Sequence, residues 1–152
     1  MFTVVYYSLT GNTRKVADAI AGELGVVAKD VRNVSDLSAG DYVFLGSGCY
    51  GAVLPGEITE FINRSRLQNH KVVLFNTSGF GMKKELGLFE NQLRNKGVNV
   101  VDRYECFGRF AAVRMGHPDA GELQKAREFA RRIATKIRET GSREFTASGS
   151  GR

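Results

Sequence analysis

Cysteine is scarce in this chain: Cys49 and Cys106 are the only two in 152 residues. Two thiols make no disulfide framework, and no partner Cys or His stands at metal-ligand spacing from either. They read as small, half-buried thiols of a reducing compartment. Long apolar runs are missing as well. The longest are strand-sized, such as Val43-Phe44-Leu45, far short of the ~18 residues a membrane helix needs. There is no Arg/Lys-rich run with interleaved aromatics, which argues against nucleic-acid binding. The opening Met1-Phe2-Thr3-Val4-Val5 enters a strand-like run without a basic n-region or cleavage site. No signal peptide is expected, and a cytoplasmic location is the default.

What is present is an ordinary globular composition, 42% hydrophobic and 25% charged, in a length that fits one domain. The net charge of +6 suits an anionic ligand or acidic partners and says nothing about fold. Short apolar runs alternate with helical patterns. Residues 2–7 read as a buried strand, and Val16, Ala17, Ile20, Ala21 and Leu24 then recur at helical spacing up to Gly25. Residues 26–31 are a weaker second strand, 35–41 a turn-rich connection, and 42–45 a third strand ending in glycine. Pro55 opens a helix with Ile58, Phe61 and Ile62 on one face. Residues 72–75 make a fourth strand; Leu86, Phe89 and Leu93 mark a helix that stops at Gly97; residues 98–101 begin a fifth strand, continuing to Phe107. Asp119-Ala120-Gly121-Glu122 is a capping-box pattern ahead of the stripe Leu123, Ala126, Phe129, Ala130, Ile133 and Ile137. Strict strand–helix alternation means parallel strands with crossover helices on both faces, a three-layer doubly wound α/β sheet. The domain is expected over residues 1–139. Residues 140–152, without periodicity and ending Ser-Gly-Ser-Gly before Arg152, are expected to be a disordered or appended tail.

In such a sheet ligands bind beyond the carboxyl ends of the strands, where the strand order reverses. The first loop there is Ser8-Leu9-Thr10-Gly11-Asn12-Thr13. It joins a buried strand directly to a helix N-terminus and is rich in hydroxyls. Backbone amides can converge on an anion while Ser8, Thr10 and Thr13 add donors, and the helix dipole favours a phosphate dianion. The plainer reading is an N-cap, with Thr10 or Asn12 starting the helix. A P-loop is excluded because no lysine follows its second glycine, and a dinucleotide fingerprint because its three spaced glycines are absent. A phospho-receiver domain needs carboxylates where this chain has Tyr6, Tyr7, Ser8, Gly46 and Ser47.

Val4, Val5, Tyr6, Ser8, Gly11, Thr13, Ala17 and Ile20 stand at the spacing of the flavodoxin signature, and over roughly residues 1–137 the chain resembles the flavodoxin family. That resemblance implies a five-stranded parallel sheet of order 2-1-3-4-5 and one non-covalent FMN. It assigns the phosphate to Ser8, Leu9, Thr10, Gly11, Asn12 and Thr13. The second loop, Ser47, Gly48, Cys49, Tyr50 and Gly51, resembles the one that wraps a face of the flavin. Tyr50 is the candidate to stack on the ring, and Gly51 the residue whose peptide turns so that its carbonyl meets flavin N5. The third, Thr77, Ser78, Gly79, Phe80 and Gly81, is similar to the segment that binds the pyrimidine edge. Phe80 either covers the other face or anchors the loop. His117 in Gly116-His117-Pro118-Asp119 reads as part of a helix-positioning turn rather than a proton relay, and nothing fixes Arg109 at the ring. No residue is assigned a catalytic or metal-binding role.

Two departures set the chain apart from acidic, low-potential carriers: its basic charge, and Ala52 where many have a carboxylate. The function implied is an electron-transfer flavoprotein working between redox partner proteins. The alternative on the same scaffold is an FMN-dependent reductase of quinones or a related oxidoreductase; a third is a partner-binding module without cofactor.

Overall fold

The computed structural model describes residues 1–39, 41–48, 54–78, 83–107 and 118–148. Its strands are β1 (Phe2–Tyr7), β2 (Lys29–Asp30), β3 (Tyr42–Gly48), β4 (Lys71–Ser78) and β5 (Asn99–Phe107), and its helices α1 (Asn12–Leu24), α2 (Gly56–Ser65), α3 (Lys83–Asn95) and α4 (Ala120–Ser148). The strands form one sheet in the order β2-β1-β3-β4-β5, and every pairing is parallel. This is the architecture and strand order expected from the sequence.

Side chains alternate across a strand, so a strand apolar at every position must be covered on both faces. Val4 and Tyr6 of β1, Phe44 of β3, and Val73 and Phe75 of β4 pack under α1 and α4 with Val16, Ala17, Ile20, Phe129 and Ile133. The intervening Val5, Tyr7, Val43, Leu45, Val72 and Leu74 pack on the other face with Ile58, Phe61 and Ile62 of α2 and Leu86, Phe89 and Leu93 of α3. Each large apolar side chain buried in these layers contributes roughly 1.5–3 kcal/mol.

Two elements differ from the sequence expectation. The second strand pairs only at Lys29 and Asp30, because Val27 is exposed and Val31 already begins a 3-10 turn over Val31–Asn33. A short edge strand offers little unpaired backbone to other chains. At the other end, α4 runs on to Ser148 rather than ending near residue 139. A helix can continue without a core beneath it. Residues 141–144 are exposed, while the Thr140 hydroxyl donates to the Lys136 carbonyl at 3.0 Å and the Ser142 hydroxyl to that of Arg138 at 2.9 Å.

Registers place the carboxyl ends of the central strands level with one another. Tyr7 pairs with Ser47, Ser47 with Asn76 and Gly48 with Thr77, and Thr77 with Cys106. Strand order reverses at β1, so a crevice opens between the ends of β1 and β3.

Candidate functional site

The first loop leaves β1 at this crevice and enters α1 within a few residues. Gly11 occupies the N-cap position at φ 87°, and no side chain caps the helix. That conformation is costly for residues with a Cβ. The N-cap alternative for Thr10 and Asn12 is therefore set aside. Instead the Gly11 amide donates to Ser8 Oγ at 3.0 Å, which closes the turn while the Ser8 hydroxyl keeps its own proton to donate. By helical geometry the first-turn amides of Asn12, Thr13 and Arg14 find no carbonyl within α1.

The described helix starts differ in how they meet their own positive dipole ends. At α4 the expected capping box forms: the Glu122 amide donates to Asp119 Oδ1 at 2.9 Å, and the Asp119 amide to Glu122 Oε2 at 2.8 Å. The first turn of α2 carries Glu57. The first turn of α1 carries no carboxylate, and Arg14 and Lys15 there are both exposed. Arg14 pairs with Asp18 one turn on, at 3.8 Å, but a helix N-terminus with no carboxylate in its own first turn is still suited to an external anion.

Thr13 is buried at 1% exposure, and its Oγ1 lies 2.8 Å from Thr77 Oγ1 at the end of β4. The first and third predicted loops are thus tied together at their roots. Ser47 is buried, and its hydroxyl donates to the Gly48 carbonyl at 2.9 Å. Leu9 and Thr10 are exposed, and Ser8, Gly11 and Asn12 half-buried. Ser78 closes β4. Cys49, Tyr50, Gly51, Gly79, Phe80 and Gly81, with Ala52, Arg109 and His117, lie outside the described residues.

Cys106, level with Thr77 on β5, is buried and free. Burial, with smaller contributions from Glu122 and Asp119, pushes its thiol up to about 12, so it holds its proton at neutral pH. The sequence predicts a small, half-buried thiol; Cys106 is instead fully buried, at 2% exposure. On the β2 side of β1, away from β3, the Arg32 guanidinium donates to both Asp30 oxygens at 2.9 and 2.8 Å and sits 5.8 Å from the centre of the Tyr7 ring. That hydrogen bonding holds the Asp30 carboxyl below its ordinary range. Sequence reasoning missed both this pair and the Thr13–Thr77 contact. A helical i,i+4 spacing would have flagged a local pair, but the two threonines stand 64 residues apart.

A parallel sheet of order β2-β1-β3-β4-β5 with a bare helix N-terminus at its switch point defines a class, the doubly wound α/β proteins. Comparison with known proteins narrows it. A family model described as the flavodoxin domain matches residues 3–125. The chain is 32% identical over 142 residues to the flavodoxin of Clostridium beijerinckii, covering 86% of this chain and 97% of that protein. It is 29% identical over 137 residues to an uncharacterised protein of Methanocaldococcus jannaschii, covering 80% and 89%. Among solved structures, a flavodoxin from the domain Archaea superposes with a TM-score of 0.66 at 20% identity, covering 90% of this chain and 98% of the other. Oxidised flavodoxin 2 from Bacillus cereus gives 0.62 at 24%, covering 89% and 98%. The chain belongs to the flavodoxin family.

Proposed function

We propose that this protein holds one FMN non-covalently at the carboxyl end of its sheet and carries electrons with it between partner proteins. The observation that carries the reading is the start of α1. It is uncapped, free of carboxylates and flanked by Arg14 and Lys15, where the fold opens its crevice and where flavodoxins themselves exemplify the switch-point rule.

The residues present fit a phosphate. The first-turn amides of α1 lack a side-chain cap, Ser8 and Thr10 supply hydroxyl donors, and the buried Thr13 hydroxyl lies in the same turn of the helix. Bound FMN supplies the redox chemistry, and the protein supplies binding, orientation and electrostatics. The flavin ring belongs between the Tyr50 and Phe80 loops, an assignment that rests on the family resemblance. The basic surface favours acidic partners, since complementary charge steers encounter.

A visible spectrum of the purified protein during stepwise reduction is the test. FMN-type absorption that disappears in two separate one-electron steps supports a carrier. Reduction in one two-electron step, with turnover of NAD(P)H or a quinone, replaces it with a reductase on the same scaffold. Colourless protein that takes up no FMN overturns the reading.

A further inference from the structure

We propose that Thr77 is a positioning residue for the phosphate end of the ligand, acting through Thr13 rather than touching the ligand. The inference rests on the FMN reading above and goes beyond it in assigning to β4 a share of phosphate selectivity.

The argument starts from proton counting. Each threonine hydroxyl has one proton to donate and two lone pairs to accept with. The Thr13 and Thr77 oxygens are 2.8 Å apart, and either is able to be the donor. Both are buried, Thr13 at 1% and Thr77 at 8% exposure, so water does not readily replace the bond. A phosphate dianion only accepts. If Thr13 is to serve it, the Thr13 proton must point at the phosphate, and the bond between the threonines must then run from Thr77 to Thr13.

The order is therefore Thr77 O–H to Thr13 Oγ1, and Thr13 O–H to phosphate oxygen. Each link polarises the next, and a donor that is itself accepting a hydrogen bond donates more strongly. The contact also holds Thr13 in one rotamer. Thr13 is in the first turn of α1 while Thr77 ends β4, so the link fixes the phosphate loop against the central sheet. A neutral ligand lacking the phosphate gains nothing from this ordering. Thr77 is accordingly a determinant of FMN over riboflavin, although its strand leads into the loop assigned to the ring.

The experiment is fluorescence titration of apoprotein with FMN and with riboflavin, for wild type, Thr77→Val and Thr77→Ser. Thr77→Val keeps the shape and removes the proton. It should raise the FMN Kd about five- to tenfold, the size of one net hydrogen bond, while changing the riboflavin Kd by less than about twofold. Thr77→Ser restores the hydroxyl and should restore the FMN value. Thr77→Cys, close in size and a weak donor, should fall between the two and serves if the valine variant does not fold. An equal loss for FMN and riboflavin, or no loss for either, overturns the proposal while leaving the FMN site standing. Wild-type protein that binds riboflavin as tightly as FMN removes the phosphate reading itself, and this inference with it.

Discussion

Gly46→Ala should damage the protein out of proportion to the single methyl it adds. Gly46 lies in β3 between Tyr6 of β1 and Phe75 of β4. A Cβ built there falls within the Phe75 ring, against Cε2 and Cζ. The backbone cannot retreat, because β3 is paired on both sides, and Phe75 is itself fully buried. The ring must therefore swing away from a packed site. Forcing extra volume into such a core costs about 1–3 kcal/mol, and a phenylalanine driven toward solvent forfeits about 1.5–3 kcal/mol of burial. The two are alternative ways to absorb the same methyl, so an expected loss of about 1–3 kcal/mol follows. A domain of this size should then lose about 2–4 °C of Tm per kcal/mol. Urea unfolding of the apoprotein, followed by circular dichroism, measures it directly. Phe75→Leu alone should also destabilise, by leaving space. Combined with Gly46→Ala it should cost less than the sum of the two, because the ring that meets the new methyl is gone. Additivity within about 0.3–0.5 kcal/mol, the ordinary behaviour of independent sites, would refute the claim that Phe75 occupies the missing side chain's place.

Thr10→Glu sets a carboxylate in the phosphate loop and should abolish FMN binding while leaving the apoprotein as stable as wild type, since Thr10 is exposed; stoichiometric FMN in the purified variant would rule out the loop assignment. Tyr50→Ala should weaken FMN binding by about 1–3 kcal/mol, by analogy with base stacking on aromatics, and shift the flavin absorption band. Comparison with Phe80→Ala identifies which loop stacks, and an unchanged spectrum in both would leave neither on the ring. Stability should also fall at alkaline pH. Burial, as the largest cause, pushes the Cys106 thiol up from 9.0 and the Tyr104 phenol up from 10.0, each to about 12. The unfolded chain therefore loses these protons first, so the stabilisation is complete below about pH 9 and is lost as pH rises toward 12. The urea midpoint of the Cys106→Ala, Tyr104→Phe double variant should be flatter across that window, and an unchanged slope would discount both groups.

Much of the fold was legible because its signals are local or periodic. Residues 2–7 announced a strand buried on both faces, since a run apolar at every position has no polar side to turn to water. Asp119 and Glu122 announced the start of α4, since a capping box needs only the spacing of one helical turn. Strand–helix alternation then forced parallel pairing, and the hydroxyl-rich turn was legible as the junction between β1 and α1. Other features depended on what stands across the sheet. Only the packed structure could shorten β2 to two paired residues, because the number of ladder bonds an edge strand makes depends on how its neighbour presents itself. Only it could separate an open helix end from a capped one at α1, since Thr10 and Asn12 are equally good caps on paper and Gly11's left-handed backbone decided the matter. The burial that silences Cys106, the ring that fills the space over Gly46 and the hydroxyl pair linking Thr13 to Thr77 all join residues distant in the chain. Local chemistry written in the sequence specified the elements and the end of the sheet at which the loops gather. Which side chains meet there was settled by strand register and packing, properties that no window of sequence contains.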